Sequence, residues 1–409
     1  MQPGKISISV LIALLAATTT AFAPNFPRSL AAPPALAQAS AGRKAEADRL
    51  REQGKQEYRT SQFPAALQSY QQALTIYKKI GDLTGESRTL LSLGNTYWYL
   101  GQYQQAIESY QQARAMARDI RDRHGEILTL SGLGYAYFAL DQYQQAIDYY
   151  QQARVIALDI GDRYGEAESV RGLGQTYESL GQYQQAIKYY GQSVAIARDI
   201  GERSEEVFSL INLGNAHWYL RQDQKALEYY QQARVIARDI GDRNGEAMSL
   251  GGLGNTYSSL GQYQRAIKYQ QQWLDIAREI GQRSEESRAL VNLGIAYDKL
   301  GQYQSALNSY QQALKIQREI GDRDSESLTL SNLGELLAKQ NQLEQAITFY
   351  KQSVDVREEI RRNIRALSKK QQDSYTDTIA GTYRALADLL FKQGRISEAQ
   401  EVLDLLKVQ

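Results

Sequence analysis

Between residues 83 and 120 the apolar and small side chains fall into two runs. Leu90, Leu93, Gly94 and Tyr97 stand at i, i+3, i+4 and i+7, and Ala106, Ile107, Tyr110, Ala113 and Ala117 repeat that spacing. Each run follows one face of a 3.6-residue period, so the segment predicts two amphipathic helices joined by a turn near Gly101. The pattern then returns along the chain. Leu-Gly recurs at Leu93-Gly94, Leu133-Gly134, Leu173-Gly174, Leu213-Gly214, Leu253-Gly254, Leu293-Gly294 and Leu333-Gly334, always 40 residues apart. An alanine follows each of these glycines by twelve residues, from Ala106 to Ala346. The same offset links Gly54 to Ala66 upstream and Ala387 to Ala399 downstream, which makes nine units of helix-turn-helix.

Two breaks recur in each unit. The turn between the helices carries Gly101, Asp141, Gly181, Gly261, Gly301 and Asn341, residue types that tolerate a left-handed helix cap, with Arg221 as the exception. The second break falls at Gly81, Gly161, Gly201, Gly241, Gly281 and Gly321, before a charged loop such as Asp242-Arg243-Asn244-Gly245-Glu246. Over roughly residues 45–409 the Leu-Gly pair, the tyrosine three residues after the glycine and the Ala…Tyr…Ala series resemble the tetratricopeptide repeat (TPR) family. That resemblance implies an all-α fold, a right-handed solenoid of about nine helix-turn-helix repeats whose first helices line a concave surface. The 40-residue period exceeds the usual 34, and the proline that commonly closes a unit is missing, so a lengthened second helix is expected.

Between the eighth and ninth units the phase slips by 13 residues, through Arg361-Arg362-Asn363-Ile364-Arg365 to Lys369-Lys370-Gln371-Gln372-Asp373. The expected division is a signal peptide at 1–37, a linker at 38–46, eight repeats at 47–366, an insert at 367–379 and a last repeat-like unit at 380–409. The slip, with Leu386-Ala387-Asp388-Leu389-Leu390 and Gly394-Arg395-Ile396-Ser397-Glu398-Ala399, resembles the C-terminal end of TPR arrays in cyanobacterial proteins that continue into a CHAT domain, a caspase-like protease fold. The resemblance implies a regulatory arm for such a protease, supplied in cis or as a separate partner.

Composition narrows the chemistry. The 409 residues include no Cys, two His, 47 Lys plus Arg, 46 Asp plus Glu and six Pro, five of them before residue 35. Without cysteine there is no disulfide framework, thiolate metal site or cysteine nucleophile, and so no His–Cys protease pair. A formal charge of +1 argues against a general nucleic-acid binder, which needs a cationic surplus. No phosphate loop, paired-carboxylate motif or nucleophile elbow is present, and a non-enzymatic chain with no cofactor or metal is expected. At the N-terminus, Lys5 precedes an apolar run from Ile6 to Ala17 and a small-residue stretch ending Ala35-Leu36-Ala37. A run of about a dozen is too short for a membrane span, which needs about 20, and reads as an export signal cut after Ala37 rather than after Ala23. Periplasmic or extracellular localisation, without stable membrane insertion, follows as the expectation.

The repeats also serve as their own control. Positions identical in every copy are explained by packing, so a site is sought where copies differ. One stripe of the first helices varies: Arg88, Leu91, Ser92, Asn95, Trp98 and Tyr99 in the second unit, Phe208, Ile211, Asn212, Asn215, Trp218 and Tyr219 in the fifth. In family geometry this stripe faces the concave surface and would bind a protein or extended peptide. Asn95, Asn215 and Asn255 follow Leu-Gly directly; related TPR scaffolds use an Asn there to hydrogen-bond a peptide backbone, since one amide offers a donor and an acceptor, and the alternative is a solvated or interhelical polar residue. Asn255 and Asn292 supply two members of a carboxylate clamp, but its cationic positions hold Gly251, Leu328 and Asn332, which argues against that version. Arg171 and Arg288 read as isolated cations on the same face. His217 reads as a substitute for a core tyrosine, Gln270 with Trp273 as a volume-conserving exchange, and the Arg-Asp pairs (Arg118-Asp119, Arg198-Asp199, Arg238-Asp239) as solvated rims. The paired tyrosines, such as Tyr149-Tyr150, read as core and inter-repeat packing.

Overall fold

The computed structural model describes residues 34–363 and 369–407, and among these every regular element is an α-helix. The signal-peptide expectation falls, up to residue 33, outside the described residues. Eighteen helices pair in order: α1 (Pro34–Arg59) with α2 (Phe63–Ile80), α3 (Leu83–Tyr99) with α4 (Tyr103–Asp119), α5 (Arg123–Ala139) with α6 (Tyr143–Ile160), and α7 (Arg163–Ser179) with α8 (Tyr183–Ile200). The series continues with α9 (Arg203–Tyr219) and α10 (Asp223–Asp239), α11 (Arg243–Ser259) and α12 (Tyr263–Glu279), α13 (Arg283–Lys299) and α14 (Tyr303–Ile320), and α15 (Arg323–Lys339) and α16 (Leu343–Asn363). The last pair is α17 (Lys369–Lys392) and α18 (Ile396–Leu405). Residues 38–46, read as a linker, are part of α1, and the described part of the expected insert is the first half of α17. In the regular units both helices have 17 or 18 residues, so the longer period is shared between the two helices rather than carried by the second alone.

Each helix packs on the next, and first helices also touch one another: α3 meets α5, α5 meets α7, α7 meets α9 and α9 meets α11. Closer spacing of the first helices than of the second puts them on the inside of the curve, which makes their outward stripe the groove. The alanines twelve residues after each Leu-Gly glycine, from Ala106 to Ala346, are fully buried, as are their counterparts Ala66 and Ala399. The glycines have a specific partner. The Tyr150 ring lies between Gly134 of its own unit and Gly172 of the next, where an added methyl group would stand 2.6 and 2.5 Å from the ring. Tyr110 stands in the same way between Gly94 and Gly132, and Tyr230 between Gly214 and Gly252.

The turns obey backbone geometry rather than residue type. Gly101, Gly181 and Gly261 have φ of 71°, 72° and 70°, and Arg221, the sequence exception, is also left-handed at 58°, as is Arg121 in the other break. A side chain in that conformation is strained by contact between Cβ and the following carbonyl. Arg121→Gly is therefore expected to stabilise the chain by up to about 1 kcal/mol, read as a raised urea midpoint at unchanged slope.

The Arg-Asp pairs are not simply solvated rims. Arg278 Nε donates to Glu286 Oε1 at 2.9 Å, Arg283 Nη1 donates to Glu286 Oε2 at 2.6 Å, and Arg283 also bonds Glu319 of the next unit. Arg198 and Arg203 grip Glu206 in the same way, as do Arg238 and Arg243 with Glu246 and Arg318 and Arg323 with Glu326. These glutamates are buried, so each of these four repeat junctions holds a carboxylate that two guanidiniums neutralise, whereas Glu166 has Arg163 alone and Glu86 has Lys78. Burial works to raise the Glu286 carboxyl, but the hydrogen bonds and charges of Arg278 and Arg283 outweigh it and hold it below its ordinary value of 4.5. A depressed folded value means that the contribution is present above 4.5 and is lost as pH falls through the folded value. Glu286→Gln should flatten that acid limb of the stability curve, measured by chemical unfolding from pH 7 downwards.

Candidate functional site

Local sequence aims the groove residues through the second helices. Because Gly94 has no side chain, the Tyr110 ring crosses α3 and its hydroxyl donates to Asn95 Oδ1 at 2.8 Å. Tyr230 does the same to Asn215 Oδ1 at 2.6 Å. In the sixth unit Gln270 replaces the tyrosine, covers Gly254, and donates from Nε2 to Asn255 Oδ1 at 2.8 Å. Asn292 Nδ2 reaches the same Oδ1 at 2.9 Å. The asparagines are thus interhelical polar residues with their acceptor already engaged; what Asn95 and Asn215 can offer a ligand is the Nδ2 donor pair.

Along the groove four cavities follow in order. The first, 880 Å³, is lined by Arg51, Lys55, Arg88, Ser92, Asn95 and His124. Asn95 is shared with the second, 430 Å³, which also contains Tyr58, Trp98, Tyr99, Tyr110, Tyr135 and Glu168. Trp98 and Tyr135 continue into the third, 590 Å³, with Phe138, Glu178, Tyr183, Asn212 and Tyr219. The fourth, 370 Å³, is lined by Trp218, Asn255, Tyr263, Asn292 and Lys299 among others. Shared walls make the first three one cleft spanning α1 to α9. Arg88 is exposed there and has no ion pair among the described residues.

Two sequence readings need correction. Arg171 is not an isolated cation: Nε donates to Glu205 Oε1 at 2.7 Å and Nη2 to the Tyr135 hydroxyl at 2.9 Å. Burial opposes its charge, but Tyr135, Glu205 and Glu168 outweigh that and hold the guanidinium above its ordinary value. Its role is to fix the cleft floor between α5, α7 and α9. Arg288 is also paired, to Glu285 at 2.8 Å, and lies 5.9 Å from the Trp273 ring centre. His217 takes the place of a stacked tyrosine, with its ring 5.2 Å from Tyr229 and Nδ1 2.6 Å from Gln222 Oε1; burial lowers its basicity. Trp273 fits because Gly251 opposes it, at 3.3 Å from where a Cβ would stand, so the exchange with Gln270 is a repacking. Tyr150, Tyr190 and Tyr230 are buried core residues.

The sequence profile of the tetratricopeptide repeat family matches residues 44–119, 126–199, 206–279 and 285–359. The chain belongs to the tetratricopeptide repeat family. Comparison with curated proteins gives no match. Among solved structures, this TPR chain is similar to aspartyl phosphate phosphatase F from Bacillus subtilis, with 16% identity, TM-score 0.57, and 69% of this chain and 73% of that chain covered. The Rap conjugation gene regulator of plasmid pLS20, solved in complex with a Phr peptide, has 20% identity, TM-score 0.52 and coverage of 71% and 79%. The apo quorum sensor NprR from B. thuringiensis has 15% identity, TM-score 0.50 and coverage of 91% and 98%. At these identities the likeness is one of fold. The resemblance to TPR–CHAT proteins has no counterpart among these matches.

Sequence reasoning missed Tyr58, Tyr135, Glu168, Glu178 and Tyr183 as cleft residues. For Glu168 and Tyr135 the signal was available: Glu168 occupies the stripe position held by Arg88, and Tyr135 that of Asn95. Tyr58 and Tyr183 sit in second-helix entries or the irregular first unit, where the stripe rule gives no guidance.

Proposed function

We propose that this TPR protein binds an extended peptide, or an extended segment of a protein partner, in the cleft between α1 and α9. The observation that carries the reading is the connection of three cavities through Asn95, Trp98 and Tyr135, which gives a continuous trough with aromatic walls and outward amide donors. Such a trough suits a chain whose side chains alternate into pockets while its backbone carbonyls meet Nδ2 groups. The Rap regulator, similar in fold, was solved with a peptide, which supports this class of ligand. We further propose that the chain acts after export, on the strength of the Lys5 to Ala37 pattern. A caspase-like protease could be a partner only as a separate or additional catalytic part, since these residues include no cysteine.

The test is selection of binders from a displayed library of unstructured peptides. Selected peptides should lose at least tenfold in affinity for a Trp98→Ala variant with unchanged helicity, because contact with a large aromatic side chain at the centre of the cleft is where interface energy concentrates. Equal affinity for both proteins would remove the groove from the reading.

A further inference from the structure

The second cavity is built unlike the others. Three rings meet nearly at right angles: Tyr58 and Tyr99 at 85° with centres 5.5 Å apart, and Tyr99 and Trp98 at 83° and 5.0 Å. Phe63 stacks behind Tyr99 at 4.9 Å, and Trp98 Nε1 reaches the Tyr135 carbonyl at 3.4 Å, so packing and a hydrogen bond hold these walls. Tyr110 and Tyr135 also line it, with Leu91, Leu128, Asn95 and Ser131. One carboxylate enters this aromatic enclosure, Glu168. It has no hydrogen bond or ion pair among the described residues, because the nearby Arg171 is committed to Glu205 and Tyr135.

We propose that this box binds one basic side chain, lysine or arginine, of the peptide that occupies the cleft; the inference rests on the groove-binding reading and names the ligand's chemistry. Two forces converge on a cation here. Aromatic faces attract positive charge, most strongly when water is excluded. A half-buried carboxylate without a partner is costly, and a cation beside it removes that cost. Glu168 and Glu205 outnumber Arg171, so the floor carries an uncompensated negative charge. Burial first, and then the charge of Glu205, raise the Glu168 carboxyl above its ordinary value, against the opposing pull of Arg171. The adjoining cavity carries Arg51, Lys55, Arg59 and Arg88 against Glu52 and Asp122, with Glu52 paired to Arg51 and Lys55, and its remaining positive surplus repels further positive charge. The preferred ligand is therefore a lone basic residue with neutral or acidic neighbours, not a polybasic stretch.

The chain has three tryptophans, so indole N–H resonances give a direct readout, with Trp98 assigned by Trp98→Phe. The probes are capped five-residue peptides, alanine with a central lysine, norleucine or three successive lysines. The single-lysine peptide should shift the Trp98 signal saturably and bind about tenfold more tightly than the norleucine peptide. Glu168→Gln should remove about that factor for lysine and leave norleucine unchanged. Norleucine binding as tightly as lysine, no effect of Glu168→Gln, or tighter binding of the triple-lysine peptide would each overturn the proposal. If norleucine alone moves the Trp98 signal, the groove reading stands and the cation box falls; if no peptide moves it, the box falls, while the library selection still decides the groove.

Discussion

Replacing Arg171 by leucine is expected to lower the unfolding free energy by about 3 to 5 kcal/mol, the largest effect of any groove substitution. The cause is what remains. Glu205 is buried, and without Arg171 its charge keeps only the Ser193 and Ser209 hydroxyls, at 3.3 and 3.4 Å. The Tyr135 hydroxyl also loses its donor from Nη2. Removing both charges, in Arg171→Leu/Glu205→Leu, should recover most of the loss, since apolar side chains of similar volume tolerate the site better than an orphaned charge does. Urea unfolding of the two single variants and the double variant gives the coupling energy. A single-variant loss below about 1 kcal/mol would show that Glu205 finds water or another partner.

The second large effect is expected from Tyr150→Ala, at about 3 to 5 kcal/mol. Tyr150 is 1% exposed and fills the space between Gly134 and Gly172, while Tyr135 meets it edge-on at 5.5 Å and 82°. Neither glycine can supply atoms to close the cavity. Because a solenoid has only nearest-neighbour interfaces, the loss falls on one junction, between the third and fourth units. Hydrogen exchange should then show faster exchange beginning in α6 and α7, with α13 to α16 unchanged. Uniform acceleration along the chain would mean that the array unfolds as one cooperative body.

The reach of the sequence differs between these two cases. Tyr150 was legible as core because its alanine and glycine neighbours repeat with it at fixed offsets. Arg171 was not, because its partner Glu205 lies 34 residues away on the next first helix and stands at a position that glycine fills in several other units. The repeat-junction glutamates show the same limit. Glu246 and Glu286 look like loop charges in one dimension, yet they are buried beneath guanidiniums from their own and the preceding helix. The asparagines illustrate a half-legible case: their place on the inner stripe followed from periodicity, whereas the engagement of Oδ1 by Tyr110, Tyr230 and Gln270 required the distance between paired helices.

What the sequence by itself determined is the repeating unit: two helices of a fixed period, the glycines and alanines where helices touch, and the stripe in which copies differ. These follow from local periodicity and side-chain volume, which a chain carries in one dimension. Only the tertiary structure decided which varied residues meet. Tyr58, Trp98, Tyr99, Tyr135 and Glu168 come from four helices of four successive units, and they form one enclosure because curvature brings first helices closer together on the inner side. Burial in that enclosure, rather than residue type, is what turns Glu168 from a solvated surface charge into a carboxylate lacking a partner.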